Sequence, residues 1–149
     1  MDDITEVLEA VTIVRKIMEE TSTELTKGVG IFPPSRFPRG WCQDTSRALG
    51  HLLADRGQVG FHLIFANRAN DDRKTHVWLE RDGLIVDITA DQFEGAGYPG
   101  VMVTKDRAWH DGRVCREQEL DDVLAGHADC AIYVTVSNHP TWNKQPHCG

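Results

Sequence analysis

No stretch of this 149-residue chain is apolar for long enough to span a bilayer. The chain opens Met1-Asp2-Asp3, acids where a secretory signal needs positive charge, and no apolar signal core follows. The expected location is the cytoplasm, or export by a route that uses no cleavable signal. Basic residues are in deficit: 16 Lys and Arg against 23 Asp and Glu give a formal net charge of -7. That argues against nucleic acid as a partner, whose readers present a basic face, and against anionic membrane surfaces. There is no GxGxxG or Walker pattern and no internal repeat. The four cysteines, Cys42, Cys115, Cys130 and Cys148, form no CxxC pair. A zinc site drawn from Cys115, Cys130, His139, His147 and Cys148 would lack the paired spacing such sites use. No cofactor is implied. Free thiols are expected rather than disulfides, because a chain of this length can bury a core unaided and carries no signal for an oxidising compartment.

What is present is ordinary globular composition, 40% hydrophobic and 26% charged, enough for one domain over residues 1–149. Ile4, Val7, Leu8, Val11, Val14 and Met18 recur at helical steps, which predicts a helix over 2–20, ending or fraying across Thr21 to Lys27. The run from Gly28 to Gly40, with Pro33, Pro34 and Pro38, is expected to be a structured loop. A second helix is predicted from Cys42 to Asp55, with Gly57 as its stop signal. Alternation of Val59, Phe61, Leu63 and Phe65 predicts a strand, followed by a polar loop from Asn67 to Lys74.

Strands Thr75–Glu80 and Leu84–Thr89 are predicted to join through Asp82-Gly83, a strong hairpin signal. Beyond a Gly- and Pro-rich loop over 95–100, a short strand is expected at 101–104 and a helix over 117–125. A buried strand is expected over 131–136, then a loosely held polar tail from Asn138 to Gly149. Together these predict an α+β fold, with N-terminal helices packed on an antiparallel sheet.

The chemistry centres on Cys42. A cysteine attacks as its thiolate, which a helix N-terminus and a nearby imidazolium both favour. Cys42 stands at a predicted helix start, where backbone N–H groups lack helical partners and can hold an oxyanion. Gly40 just before it permits a sharp turn and close substrate approach. If Asp82-Gly83 is a two-residue turn, Arg81 pairs with Leu84, Trp78 faces Asp87 and His76 faces Thr89. His76 and Asp87 then share one face as diagonal neighbours, while Val77, Leu79, Val86 and Ile88 form an apolar set on the other. A one-residue slip would mix the faces. Cys42, His76 and Asp87 thus have the residue types of a nucleophile, a base and the acid that orients it.

Trp41-Cys42 at a helix start, His76-Val77-Trp78-Leu79-Glu80, and Asp82-Gly83-Leu84-Ile85-Val86-Asp87-Ile88-Thr89 resemble the core of the papain-like and transglutaminase-like cysteine enzymes. The resemblance covers about residues 38 to 93. That superfamily includes peptidases, transglutaminases, deamidases, lasso-peptide leader peptidases and bacterial toxin domains. The resemblance implies a papain/transglutaminase-like core and a Cys-His-Asp triad. Papain-like peptidases place a Gln upstream of the Cys as an oxyanion donor. Here no Gln or Asn precedes Gln43, so the oxyanion would fall to backbone N–H groups, with the Trp41 indole N–H or Gln92 as further candidates.

Trp78, on the predicted site face, would cover the dyad or line a substrate groove. Thr89 and Asp91 could support or replace Asp87, and Arg36 and Arg39 could meet an acidic substrate group. The leading expectation is a thiol-dependent amide hydrolase, of cysteine peptidase or glutamine deamidase type, acting on a protein or peptide through a thioester acyl-enzyme. Two alternatives stand beside it. One is a catalytically silent binding or immunity module with a protein partner. The other is a transglutaminase or acyl-CoA-dependent acyltransferase.

Overall fold

A computed structural model describes residues 3–29, 42–68, 71–89, 100–107, 110, 113–120 and 127–143. Of the expected loop over 28–40, residues 28 and 29 belong to the first helix and the rest lies outside the described residues, as do residues 95–99 of the loop over 95–100 and the last six residues of the tail.

Helix α1 spans Asp3–Val29, with Asp3 and Glu6 in its first turn, where the positive end of the helix dipole favours acids. Val7, Ala10, Val11, Val14, Ile17 and Met18 form its buried stripe. Ile4 and Leu8 lie on the flank of that stripe and are more than 40% exposed. The helix outruns its expected end at Thr21. Glu24, Leu25 and Lys27 favour helix, and extending an existing helix needs no new nucleus. Helix α2 spans Cys42–Asp55, as its apolar pattern predicts, and buries Ala48, Leu49, Leu52 and Leu53. Gly57 follows in the left-handed region (φ 83°) and ends it.

Among the described residues five strands follow: β1 (His62–Arg68), β2 (Asp71–Arg81), β3 (Leu84–Asp87), β4 (Met102–Thr104) and β5 (Arg113–Glu119). They form one sheet in the order β4-β3-β2-β1-β5, with every neighbouring pair antiparallel. Strand β1 starts later than expected, after Gly60 at φ 90°, and leaves Val59 exposed. The expected polar loop from Asn67 to Lys74 is instead largely strand. An antiparallel ladder is built from backbone groups, so polar side chains do not prevent it. A register shift between Asn67 and Arg68 marks the irregular end of that ladder.

Two expectations near the C-terminus are overturned. Residues 113–119 are strand β5 rather than the start of a helix at 117. They pair with β1 from His62↔Glu119 to Arg68↔Arg113, which satisfies an edge otherwise left open. Residues 121–126 lie outside the described ones. The apolar run at 131–136 belongs to helix α3 (His127–Ser137), not to a strand. Ile132 and Val136, four apart, are fully buried, while Val134 is 53% exposed. A short apolar run does not by itself distinguish a buried strand from a buried helix. The tail then adds a short helix, α4 (Pro140–Asn143). Its Trp142 is buried, with the Arg56 guanidinium 3.5 Å from the ring centroid and Arg56 Nη2 donating to the Trp142 carbonyl.

The sheet has two unlike faces. Leu63, Val77, Leu79, Leu84, Val86 and Ile88 join the buried residues of α1, α2 and α3 in one core. Ile64, Ala66, Trp78 and Ile85 cluster on the other face. The protein is therefore α+β, with helices packed on an antiparallel sheet. Among the described residues no helix is long and apolar enough to cross a membrane.

Candidate active site

The hairpin between β2 and β3 places two of the chemistry-bearing residues. Asp82 (φ 50°) and Gly83 (φ 80°) make a two-residue turn with both centres left-handed, the geometry whose twist matches paired strands. Arg81 pairs with Leu84, Glu80 with Ile85 and Leu79 with Val86. This is the register that the apolar pattern selects. The ladder stops there, and Asp87 pairs onward only to Met102 of β4. Just past the end of the ladder, side chains replace backbone bonds between the two strands. His76 Nε2 lies 2.6 Å from Asp87 Oδ2, and neither side chain is exposed.

Helix α2 brings the cysteine. The Ser46 hydroxyl, one turn into the helix, donates to the Val77 carbonyl at 3.2 Å, which docks the start of α2 against β2 beside His76. Cys42 is the first helical residue, is a free thiol, and is 8% exposed. Its thiol lies near enough to His76 to help hold the imidazole protonated. With Nε2 engaged by Asp87, the ring nitrogen left for the sulfur is Nδ1. One imidazole thus bonds a carboxylate and has a thiol in its neighbourhood.

The electrostatics follow from burial and pairing. Burial alone would push the His76 imidazolium down. The charge and hydrogen bond of Asp87, with a smaller push from Cys42, override it and hold the group up at about 9. Burial would raise the Asp87 carboxyl. The His76 charge, hydrogen bonds from His110 and His76, and the Thr89 backbone N–H hold it well below the usual carboxylate range instead. Thr89 donates its amide to Asp87 Oδ1 at 3.0 Å, and its hydroxyl lies 3.4 Å from the same oxygen. Thr89 therefore supports Asp87 rather than replacing it. Near the start of α2, burial raises the Asp44 carboxyl, the Asp129 charge adds to this, and Arg47 opposes it.

Two expectations stand for Trp78, covering the dyad or lining a substrate groove. It shares the face of His76 and Asp87 but is fully buried, and its indole N–H donates to Glu80 Oε1 at 2.9 Å. It covers the dyad and offers neither surface nor donor to a substrate. Trp41, Gln92, Asp91, Arg36 and Arg39 lie outside the described residues. Among the described residues no group of three or more His, Cys, Asp or Glu is disposed to hold a metal ion. Of the residues weighed for zinc, His139 accepts the Thr141 amide through Nδ1, and His147 and Cys148 lie outside the described residues.

One residue of the cluster escapes sequence reasoning. His110 Nε2 lies 3.1 Å from Asp87 Oδ2, with its side chain wholly buried. It stands outside any strand or helix, 23 residues beyond Asp87, where no periodicity points to it. The only local signal was a histidine beside Trp109 in a polar stretch. Comparison with protein-family models, curated proteins and solved structures gives no match to this chain.

Proposed function

We propose that the protein is a thiol-dependent amide hydrolase, of cysteine peptidase or glutamine deamidase type, built on a papain/transglutaminase-like core. The observation that carries this reading is the buried His76–Asp87 hydrogen bond with the Cys42 thiol near His76, Cys42 being the first residue of α2. Those three roles, in that order, are the parts of a nucleophile–base–orienter device.

In this mechanism Cys42, its proton already resting on His76, adds to the substrate carbonyl carbon as the thiolate of that ion pair. Unpaired backbone N–H groups in the first turn of α2 receive the oxyanion. The tetrahedral adduct collapses with cleavage of the C–N bond, and the His76 proton leaves on the amine or ammonia. Water then adds to the thioester and gives its proton to His76. Collapse of that adduct frees the carboxylic acid and returns Cys42 to the thiolate, paired with the His76 imidazolium. Asp87 keeps the imidazole in one orientation and stabilises its cationic form throughout.

The test is chemical and then catalytic. Iodoacetamide should label Cys42 ahead of the other three cysteines, and His76→Ala should slow that labelling. Peptides rich in glutamine, followed by mass spectrometry, separate chain cleavage from glutamine-to-glutamate conversion. Hydroxylamine should intercept a thioester on Cys42, and Cys42→Ala should abolish turnover. Labelling of Cys115 or Cys130 before Cys42 would sink the proposal. A biological effect that survives Cys42→Ala unchanged would identify a silent binding module instead.

A further inference from the structure

Asp87 receives a second imidazole that a Cys-His-Asp device does not require. Its Oδ2 takes His76 Nε2 at 2.6 Å and His110 Nε2 at 3.1 Å. Its Oδ1 takes the Thr89 amide at 3.0 Å. The carboxylate plane is therefore held from both ends, and the backbone ladder to β2 has already stopped one residue earlier.

His110 is itself held in place. Its ring meets Trp78 edge-on, with centroids 4.5 Å apart and planes at 67°. Trp78 in turn gives its indole N–H to Glu80 Oε1, the same oxygen that receives Arg107 Nη2, each at 2.9 Å. Arg107 and His110 lie three positions apart in the chain. Arg107 bonds β2 at Glu80, and His110 bonds β3 at Asp87. Burying an imidazole nitrogen is costly unless it bonds, and His110 Nε2 bonds Asp87.

We propose that His110 is a positioning residue. By donating Nε2–H to Asp87 Oδ2 it fixes the carboxylate, so that His76 keeps Nε2 on Asp87 and presents Nδ1 to Cys42. The inference rests on the cysteine-hydrolase reading and extends it to a fourth side chain that acts through Asp87. The titratable groups facing His110 are Asp87 directly and His76 across the shared oxygen, with Glu80 and Arg107 behind Trp78.

The experiment follows the rate of Cys42 alkylation by iodoacetamide, read at Cys42 by mass spectrometry, across the titration range of histidine and cysteine. The proteins are wild type, His110→Phe, His110→Gln and His76→Ala. His110→Phe should lower the neutral-pH rate about tenfold, as expected for losing one hydrogen bond to a charged group, and move the inflection upward. His110→Gln, whose side-chain N–H can reach the same oxygen, should restore most of the rate. Wild-type rate and inflection in His110→Phe overturn the inference alone, as does equal slowing in both variants. A wild-type rate no faster than His76→Ala overturns the cysteine-hydrolase reading and this inference with it. If His110→Phe does not fold, imidazole 15N–1H spectra decide. Both the His76 and His110 Nε2 signals should move in Asp87→Asn, and an unmoved His110 signal overturns the inference.

Discussion

His76 and Asp87 meet at 2.6 Å with no solvent on either side chain, in the gap where the β2–β3 ladder has ended. The pair links stability to pH with a definite sign. His76 sits at about 9, above its ordinary 6.5, so its contribution is full below 6.5 and is lost as pH rises through 9. Asp87 is depressed below its ordinary 3.8, so its contribution is present above that value and is lost only on strong acidification. The melting temperature should fall between about pH 7 and about pH 10 in the wild type and stay flatter in Asp87→Asn. An equal fall in both proteins would contradict the assignment.

The two partners should not contribute independently. Asp87→Ala leaves the His76 imidazole buried beside an empty site and should destabilise by about 3–5 kcal/mol. The double substitution His76→Ala, Asp87→Ala should cost less than the sum of the single changes. Chemical denaturation of the four proteins measures the coupling directly. Strict additivity would mean that the two side chains do not interact.

Arg15 ties α1 to the segment just after Asp87. Its Nη1 donates to the Ile88 carbonyl at 2.6 Å and to the Gly100 carbonyl at 3.3 Å, and its Nε to Glu19. Arg15→Met keeps the apolar stem but loses the bonds, and should destabilise by about 1.5–3 kcal/mol. Because Ile88 lies between Asp87 and Thr89, the same change should slow iodoacetamide labelling of Cys42. A stability loss with an unchanged labelling rate would show that Arg15 supports the fold without steadying Asp87.

Helix α3 makes a prediction that a strand would not. In a strand, residues 132, 134 and 136 share one face; in the helix, Val134 parts from the other two. Ile132→Ala should cost about 2–5 kcal/mol, whereas Val134→Thr should stay within about 0.5 kcal/mol of the wild type. Urea melts of the two variants test this, and a large loss in Val134→Thr would restore the strand reading.

Gly83 isolates the turn from the site. A Cβ there meets nothing within 4 Å, so Gly83→Ala is strained only through its backbone at φ 80°. The expected cost is about 1–2 kcal/mol, seen as a lower denaturation midpoint, with Cys42 labelling unchanged. A changed labelling rate would mean that the turn reaches further into the site than its geometry suggests.

Several parts of the fold were legible because the information was local. The helix over Cys42–Asp55 followed from its apolar spacing, and the β2–β3 register from Asp82-Gly83 together with alternation on both sides. Placing His76 and Asp87 on one face needed only that register. The structure differed where the pattern was short or polar. The run at 131–136 suited either element, and its helical form depends on packing against α1 and α2, which buries Ile132 and Val136 but not Val134. Strand β5 formed where β1 had an open edge, a demand invisible in the sequence of 113–119 itself. His110 was missed for a similar reason. Its place beside Asp87 comes from contacts with Trp78 and Asp87, on strands far from it in the chain.

The cysteine junction shows the same division. By itself the sequence determined that Cys42 begins a helix and that His76 and Asp87 face one way, since each depends on periodicities of two to four residues. Only the tertiary structure decided that the two come together. The docking of Ser46 on the Val77 carbonyl sets Cys42 beside His76. The end of the β2–β3 ladder leaves room for the imidazole–carboxylate bond. Long-range packing also buries the pair, and burial together with the neighbouring charges sets where His76 and Asp87 titrate.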